Sequence, residues 1–140
     1  MSALAARGIH SYRQTEVQSR TPLELVVMLY DGALRFATSA RDTIGRGDMK
    51  ARHQGITRAL AIVSELQSTL DMESGGELSA ELDRLYVYVR DRLVDASVQK
   101  NDKALDDVLR VLQTLRAGWV EISHASHQGS AQPEQHEGPD

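Results

Sequence analysis

Apolar residues recur by threes and fours along most of this chain, and the recurrence breaks at short segments rich in Gly, Asp and Asn. The first periodic stretch opens at Thr21-Pro22-Leu23-Glu24 and runs to about Ile44. Leu25, Met28/Leu29, Gly32, Phe36 and Ala40 fall along one side of a helix. Thr21 and Glu24 have the spacing of a capping box, and Pro22 suits the first helical position. Asp31-Gly32 reads as a turn in other settings, but the periodicity passes through it unbroken. A mid-helix glycine costs about 1 kcal/mol relative to alanine, so Gly32 predicts a close approach by another backbone.

Gly45-Arg46-Gly47-Asp48 stops the first helix and restarts the chain, with a glycine to end one helix and Asp48 to cap the next. The second helix spans about Met49 to Leu70, with Ile56, Ala59/Leu60, Val63, Leu66/Gln67 and Leu70 as its stripe. A glycine-containing loop, Asp71 to Glu77, follows. The third helix covers about Leu78 to Val98, with Leu82, Leu85/Tyr86, Val89, Leu93 and Ala96 on one side. Asn101-Asp102 caps the fourth, about Lys103 to Ser123, whose stripe is Leu105, Val108/Leu109, Leu112, Leu115, Trp119 and Ile122. Four helices of about 30 Å each, joined by short loops, predict an all-α fold, an antiparallel four-helix bundle. Near-heptad seams suit crossing angles of about 20°. Residues 1–20 are polar with scattered apolar positions and are expected to form an N-terminal arm or a short helix. Residues 21–123 make the bundle. Residues 124–140, rich in Gln, Ser, Gly, Pro, His and Glu, are expected to be a disordered tail.

Composition agrees with this reading. The 140-residue chain is 41% hydrophobic and only 4% aromatic, so its core is aliphatic and alanine-rich. Prolines occur only at Pro22, Pro133 and Pro139, outside the helical interiors. The formal charge of −4, with both signs interspersed, argues against a nucleic-acid-binding face. With no cysteine, disulfides and cysteine zinc sites are excluded. No apolar run approaches the roughly 20 residues of a membrane span. Met1 to Gln14 contains no secretory h-region, so the cytoplasm is the default location.

Catalytic chemistry finds little support. A bundle di-iron site needs two Glu-x-x-His pairs and two further glutamates, whereas only Glu121-Ile122-Ser123-His124 matches, at the end of the last helix. His124, His127 and His136 lie in the tail, and His53 sits among Lys50, Arg52 and Gln54 at a helix start. Asp71, Glu73 and Glu77 gather carboxylates in a loop without a cleft or perturbing neighbour. No metal, cofactor or catalytic residue is expected, and the chain reads as a non-enzyme.

Apolar surplus is the remaining signal. A bundle helix needs about three buried positions in seven, yet Leu23, Leu25, Val26, Val27, Met28, Leu29, Tyr30, Ala33, Leu34, Phe36 and Ala37 crowd the first helix. Two arrangements fit: a central helix touching neighbours on two sides, or an exposed groove for a partner. Tyr86 and Tyr88, two apart on the third helix, point to different faces, one inward and one outward. Met28 and Met72 suit either a core or an adaptable groove. The arm residues Ile9, Tyr12 and Val17 are too sparse to fold alone. They either cover such a groove or belong to an unstructured leader.

Four segments, in order, resemble the FliS family of flagellar export chaperones. The first is Thr21-Pro22-Leu23-Glu24-Leu25-Val26-Val27-Met28-Leu29-Tyr30-Asp31-Gly32. The second is Leu70-Asp71-Met72-Glu73-Ser74-Gly75-Gly76-Glu77-Leu78. The third is Leu85-Tyr86-Val87-Tyr88 with Arg92-Leu93 and Ala96-Ser97, and the fourth is Leu115-Arg116-Ala117-Gly118-Trp119. Departures are small: Arg20 stands where the family often has a small residue, Ser97 replaces a usual Asn, and the acidic tail is additional. The resemblance implies a cytoplasmic type III export chaperone that binds the C-terminal segment of flagellin and blocks its premature polymerisation. It further implies that the loaded complex is recognised by the cytoplasmic domain of the export-gate protein FlhA. Some members of the family bind an anti-sigma factor. By position, Ile9, Tyr12 and Val17 match arm residues linked to groove covering and gate recognition. Leu25, Met28, Leu29 and Tyr30 match the first-helix motif, and Met72, Tyr86 and Tyr88 match later motif positions. A regulatory bundle with another partner is the alternative reading, and a metal-dependent bundle enzyme is a third.

Overall fold

Three of the four long helices in this protein start at side chains that take up free backbone N–H groups, while the helix that begins at Gly76 follows Gly75 without a side-chain cap. In the computed structural model, which describes residues 20–131, helix α1 spans Pro22–Asp42. The Thr21 hydroxyl accepts from the Glu24 N–H at 3.1 Å, and the Glu24 carboxylate accepts from the Thr21 N–H at 2.8 Å. Both halves of the capping box are therefore made. A short 3-10 turn, Ile44–Arg46, leads to Gly47 at φ +68°, a left-handed position suited to glycine. Helix α2 spans Met49–Ser68, and Asp48 accepts from the Ala51 N–H at 3.1 Å. Helix α3 spans Gly76–Gln99 and ends on Lys100, a non-glycine residue in the left-handed region. Helix α4 spans Asp102–Ala131, with the Asn101 side chain accepting from the Ala104 N–H at 3.2 Å.

The four expected helices are all present, and no strand occurs among the described residues. The last helix continues past Ser123, where the apolar stripe ends, to Ala131. Loss of an apolar face does not by itself stop a helix. The first residue beyond Ser123 that cannot continue one is Pro133.

The chain divides into two compact units: residues 29–117, and the chain ends 1–28 with 118–140. Within 29–117 the helices are antiparallel neighbours. Asp31 pairs with Arg116 and Arg41 with Asp106, so α4 retreats as α1 advances. Gly32 meets Ile62, and Gly55 meets Phe36 and Ala40, which gives α1 and α2 the same opposed sense. Gln67 to Asp83 and Arg52 to the Ala96 carbonyl join α2 to α3. Arg92 to Asp107 joins α3 to α4.

The core lies between these helices. Ile56, Ala59, Val63 and Leu66 on α2 are buried, as are Leu82, Tyr86, Val89, Leu93 and Ala96 on α3. Both sets follow the expected stripes. On α4 the buried set is Ala104, Leu105, Val108 and Leu112. Helix α1 is rotated relative to expectation: Tyr30, Ala33, Ala37 and Ala40 are buried, while Leu29 and Phe36 are only half-buried at the edge. Small alanines let the neighbours approach, and Tyr30 can enter because its hydroxyl meets that of Tyr86 at 2.6 Å.

The close backbone approach expected at Gly32 occurs instead at Gly55. A Cβ on Gly55 would stand 2.7 Å from the Phe36 carbonyl oxygen, whereas one on Gly32 would meet only side chains, the Ile62 side chain nearest at 3.0 Å. Gly55 therefore sets the α1–α2 spacing.

Candidate partner-binding surface

The residues singled out by motif fall into distinct environments. Ile9, Tyr12 and Val17 lie outside the described residues. Leu25, Met28 and Leu29 are half-buried. Tyr30 and Tyr86 are 0% and 2% exposed, with ring centroids 6.5 Å apart and tilted 44°. Burial pushes the Tyr86 phenol above its ordinary range, and the Tyr30 hydrogen bond opposes that shift. This pair is a polar clasp inside the core, joining α1 to α3. Met72, in the α2–α3 loop, and Tyr88 are 53% and 40% exposed. The two-residue offset has thus sent Tyr86 inward and Tyr88 outward, as helical geometry requires.

The loop around Met72 is built by Asp71. Its carboxylate accepts from the Ser74 hydroxyl and from the N–H groups of Ser74 at 3.0 Å and Glu73 at 3.2 Å. The Ser74 hydroxyl, followed by these backbone donors, holds the Asp71 carboxyl below the usual carboxylate range. A carboxylate spent on turn geometry in this way presents Met72 to solvent rather than proton chemistry. Glu121 and His124 are both exposed on α4. No group of three His, Asp or Glu residues is placed to hold a metal among the described residues.

A feature missed in the sequence lies on the outer face of α3. Val87, Val94 and Val98 are 41%, 47% and 74% exposed. Their spacing places them in one row, directly opposite the buried row of Val89, Leu93 and Ala96. Tyr88 flanks this row. The signal was present as a second set of valines at helical spacing, masked by the stronger inward stripe. Apolar side chains in a row on one exposed helix face are suited to taking an apolar partner segment and have no catalytic use. No helix among the described residues is long and apolar enough to cross a membrane.

Electrostatics around the surface are arranged for rigidity. Asp107 is buried and accepts from Arg110 at 2.8 Å and Arg92 at 3.1 Å. The Arg110 hydrogen bond is the main reason its carboxyl lies below the ordinary range. Arg52, also buried, donates to the Ala96 carbonyl at 2.9 Å, one of the last carbonyls of α3, and stands 3.9 Å from Asp102. A cation at a helix C-terminus satisfies groups that the helix itself leaves open. Nothing local foretells this burial, since Arg52 sits among polar residues along the chain.

Comparison with known proteins places these features in a lineage. The family model for the flagellar protein FliS matches residues 5–126. The chain is 33% identical over 124 residues to flagellar secretion chaperone FliSB of Pseudomonas aeruginosa, covering 86% of this chain and 98% of that protein. It is 34% identical to flagellar secretion chaperone FliS of Salmonella typhimurium, covering 84% and 91% of the two chains. It is also 34% identical to its namesake in Bacillus subtilis, covering 78% and 80%. A match of that length, on a bundle carrying each of the four motif segments, means that this chain belongs to the FliS family.

Proposed function

We infer that this protein is a flagellar export chaperone that binds the C-terminal segment of flagellin in the cytoplasm and keeps it from polymerising before export. It acts by binding, without catalysis. The observation that carries this reading is membership of the FliS family across residues 5–126, whose curated relatives are named flagellar secretion chaperones. The exposed Val87–Val94–Val98 row and Tyr88 support it, because a client segment with an apolar helical face can cover them at little reorganisation cost. Leu25, Met28, Leu29, Met72 and Tyr88 retain partial or full exposure and are the motif residues available to a client. Tyr30 and Tyr86 serve the same function indirectly, by holding α1 and α3 together. The loaded complex is then the species read by the cytoplasmic domain of FlhA.

Calorimetric titration with a peptide from the flagellin C-terminus of the same organism tests this. One-to-one saturable binding with a negative heat-capacity change is expected, and flagellin lacking that segment should not bind. Undiminished binding of the truncated flagellin would overturn the reading.

A further inference from the structure

The exposed valines of α3 belong to a longer pattern. Ala80, Arg84, Val87, Asp91, Val94 and Val98 follow one another at steps of four, three, four, three and four, the spacing of a seam that packs on another helix. Ala80 is half-buried and the other five are exposed, so no described helix covers the seam. Two of its members carry charge, with opposite signs, one heptad apart. About 10 Å of helix separates them, so Arg84 and Asp91 do not pair within one chain. Arg84 meets Glu81 on the exposed surface instead, and Asp91 makes no ion pair among the described residues.

Opposite charges at equivalent seam positions are complementary to the same helix turned end for end. A second copy laid parallel and in register sets Arg84 beside Arg84 and Asp91 beside Asp91, and like charges repel. Laid antiparallel, about a two-fold axis near the middle of the seam, each Arg84 falls within one turn of the other copy's Asp91, and the symmetry makes that contact twice. Val87 of both copies then lies near the axis, and Val94 and Val98 run toward the other copy's Ala80, whose small side chain lets the helices approach. We propose that the outer face of α3 is a self-pairing seam: in the free protein it is covered by the same face of a second copy running antiparallel, and a bound client takes that copy's place. One helix face on each side makes a small interface, which suits a weak, reversible contact. The exchange rests on the flagellin-chaperone reading, in which the client uses this same valine row, whereas the self-pairing stands on the seam itself.

Sedimentation equilibrium of the full chain over a range of concentrations tests this. A reversible monomer–dimer equilibrium is expected, weakened by salt. Arg84→Glu and Asp91→Arg each turn both cross-copy ion pairs into like-charge contacts, and each is expected to weaken dimerisation at least about tenfold. Combined in one chain, the two changes restore opposite charges across the axis, and dimerisation should return close to that of wild type. An equimolar mixture of the two single variants should also pair, since one then carries two acids on the seam and the other two arginines. Both positions are exposed, so helicity should not change. Should one variant misfold, the other single variant decides alone. A wild-type chain that stays monomeric at the highest concentration reached overturns the proposal, and so does a dimer indifferent to the charge reversals. Added flagellin C-terminal peptide should convert the dimer to a one-to-one complex, and a peptide bound to an intact dimer overturns the exchange. A wild-type chain that dimerises through the seam but binds no peptide overturns the chaperone reading and leaves the self-pairing in place.

Discussion

The hydroxyl pair of Tyr30 and Tyr86 shows how single residues decide the register of this bundle. Two phenols enter a core otherwise made of aliphatic side chains, and each brings a group that must be hydrogen-bonded once dry. Meeting at 2.6 Å, one hydroxyl donates and the other accepts, so the requirement is met across α1 and α3. Rotating α1 to bury Phe36 instead would break this bond, which explains why the purely apolar ring sits at the edge. Tyr30→Phe leaves the Tyr86 hydroxyl buried without that partner, and it is expected to destabilise by about 1–3 kcal/mol. In a Tyr86→Phe background the same change should cost clearly less, with a coupling of about 1 kcal/mol between the two sites. Urea unfolding of the two single variants and the double variant measures this, and strictly additive losses would mean that the hydroxyls do not act as a pair.

At the scale of elements, the helix ends carry most of the local information. Asp48 and Asn101 cap as their positions predict, and so do Thr21 and Glu24. The α3–α4 turn departs from the usual chemistry. Lys100 occupies the left-handed position at φ 51°, where glycine is the common choice, while Arg52 secures the preceding turn through the Ala96 carbonyl. A side chain in that region crowds its own backbone. Lys100→Gly is therefore expected to stabilise by about 0.5–1 kcal/mol, the relief exceeding the added freedom of the unfolded chain. A thermal melt checks the direction, and a lowered midpoint would show that the lysine side chain contributes more than its strained backbone costs. The same elements mark what the sequence can disclose. Stripes on α2 and α3 were legible because strong apolar residues recur in one dominant inward register. The α1 register was not, because its apolar residues surround the helix and the choice fell to alanine size and the Tyr30 hydroxyl. Gly55 and Arg52 were illegible for another reason: each acts through a residue distant in sequence, Phe36 in one case and Ala96 in the other. The outward valines of α3 were visible in principle, since their spacing is regular, but exposure depends on which elements cover them.

Taken as a whole, the buried apolar residues among those described run from Tyr30 to Leu112, all inside residues 29–117. The residues that follow contribute differently. Trp119 is half-buried, Ile122 is 51% exposed, and His124 and Ala125 are exposed although still helical. Burial of apolar surface is the main source of stability, and residues 124–140 carry no Leu, Ile, Val, Met, Phe, Tyr or Trp side chain, so the helix beyond Ser123 should add helical content without adding much free energy. A chain ending at Ser123 is expected to melt within about 3 °C of the full chain, since a shift of that size corresponds to less than about 1 kcal/mol for a domain of this length. It should also bind the flagellin C-terminal peptide with unchanged affinity, because the apolar row of α3 lies within residues 29–117. Far-UV circular dichroism should register the lost turns, while the melt and the titration stay where they were. A large fall in the midpoint would place stabilising contacts in residues 124–140, and a fall in affinity with an unchanged midpoint would assign those residues a share of the client.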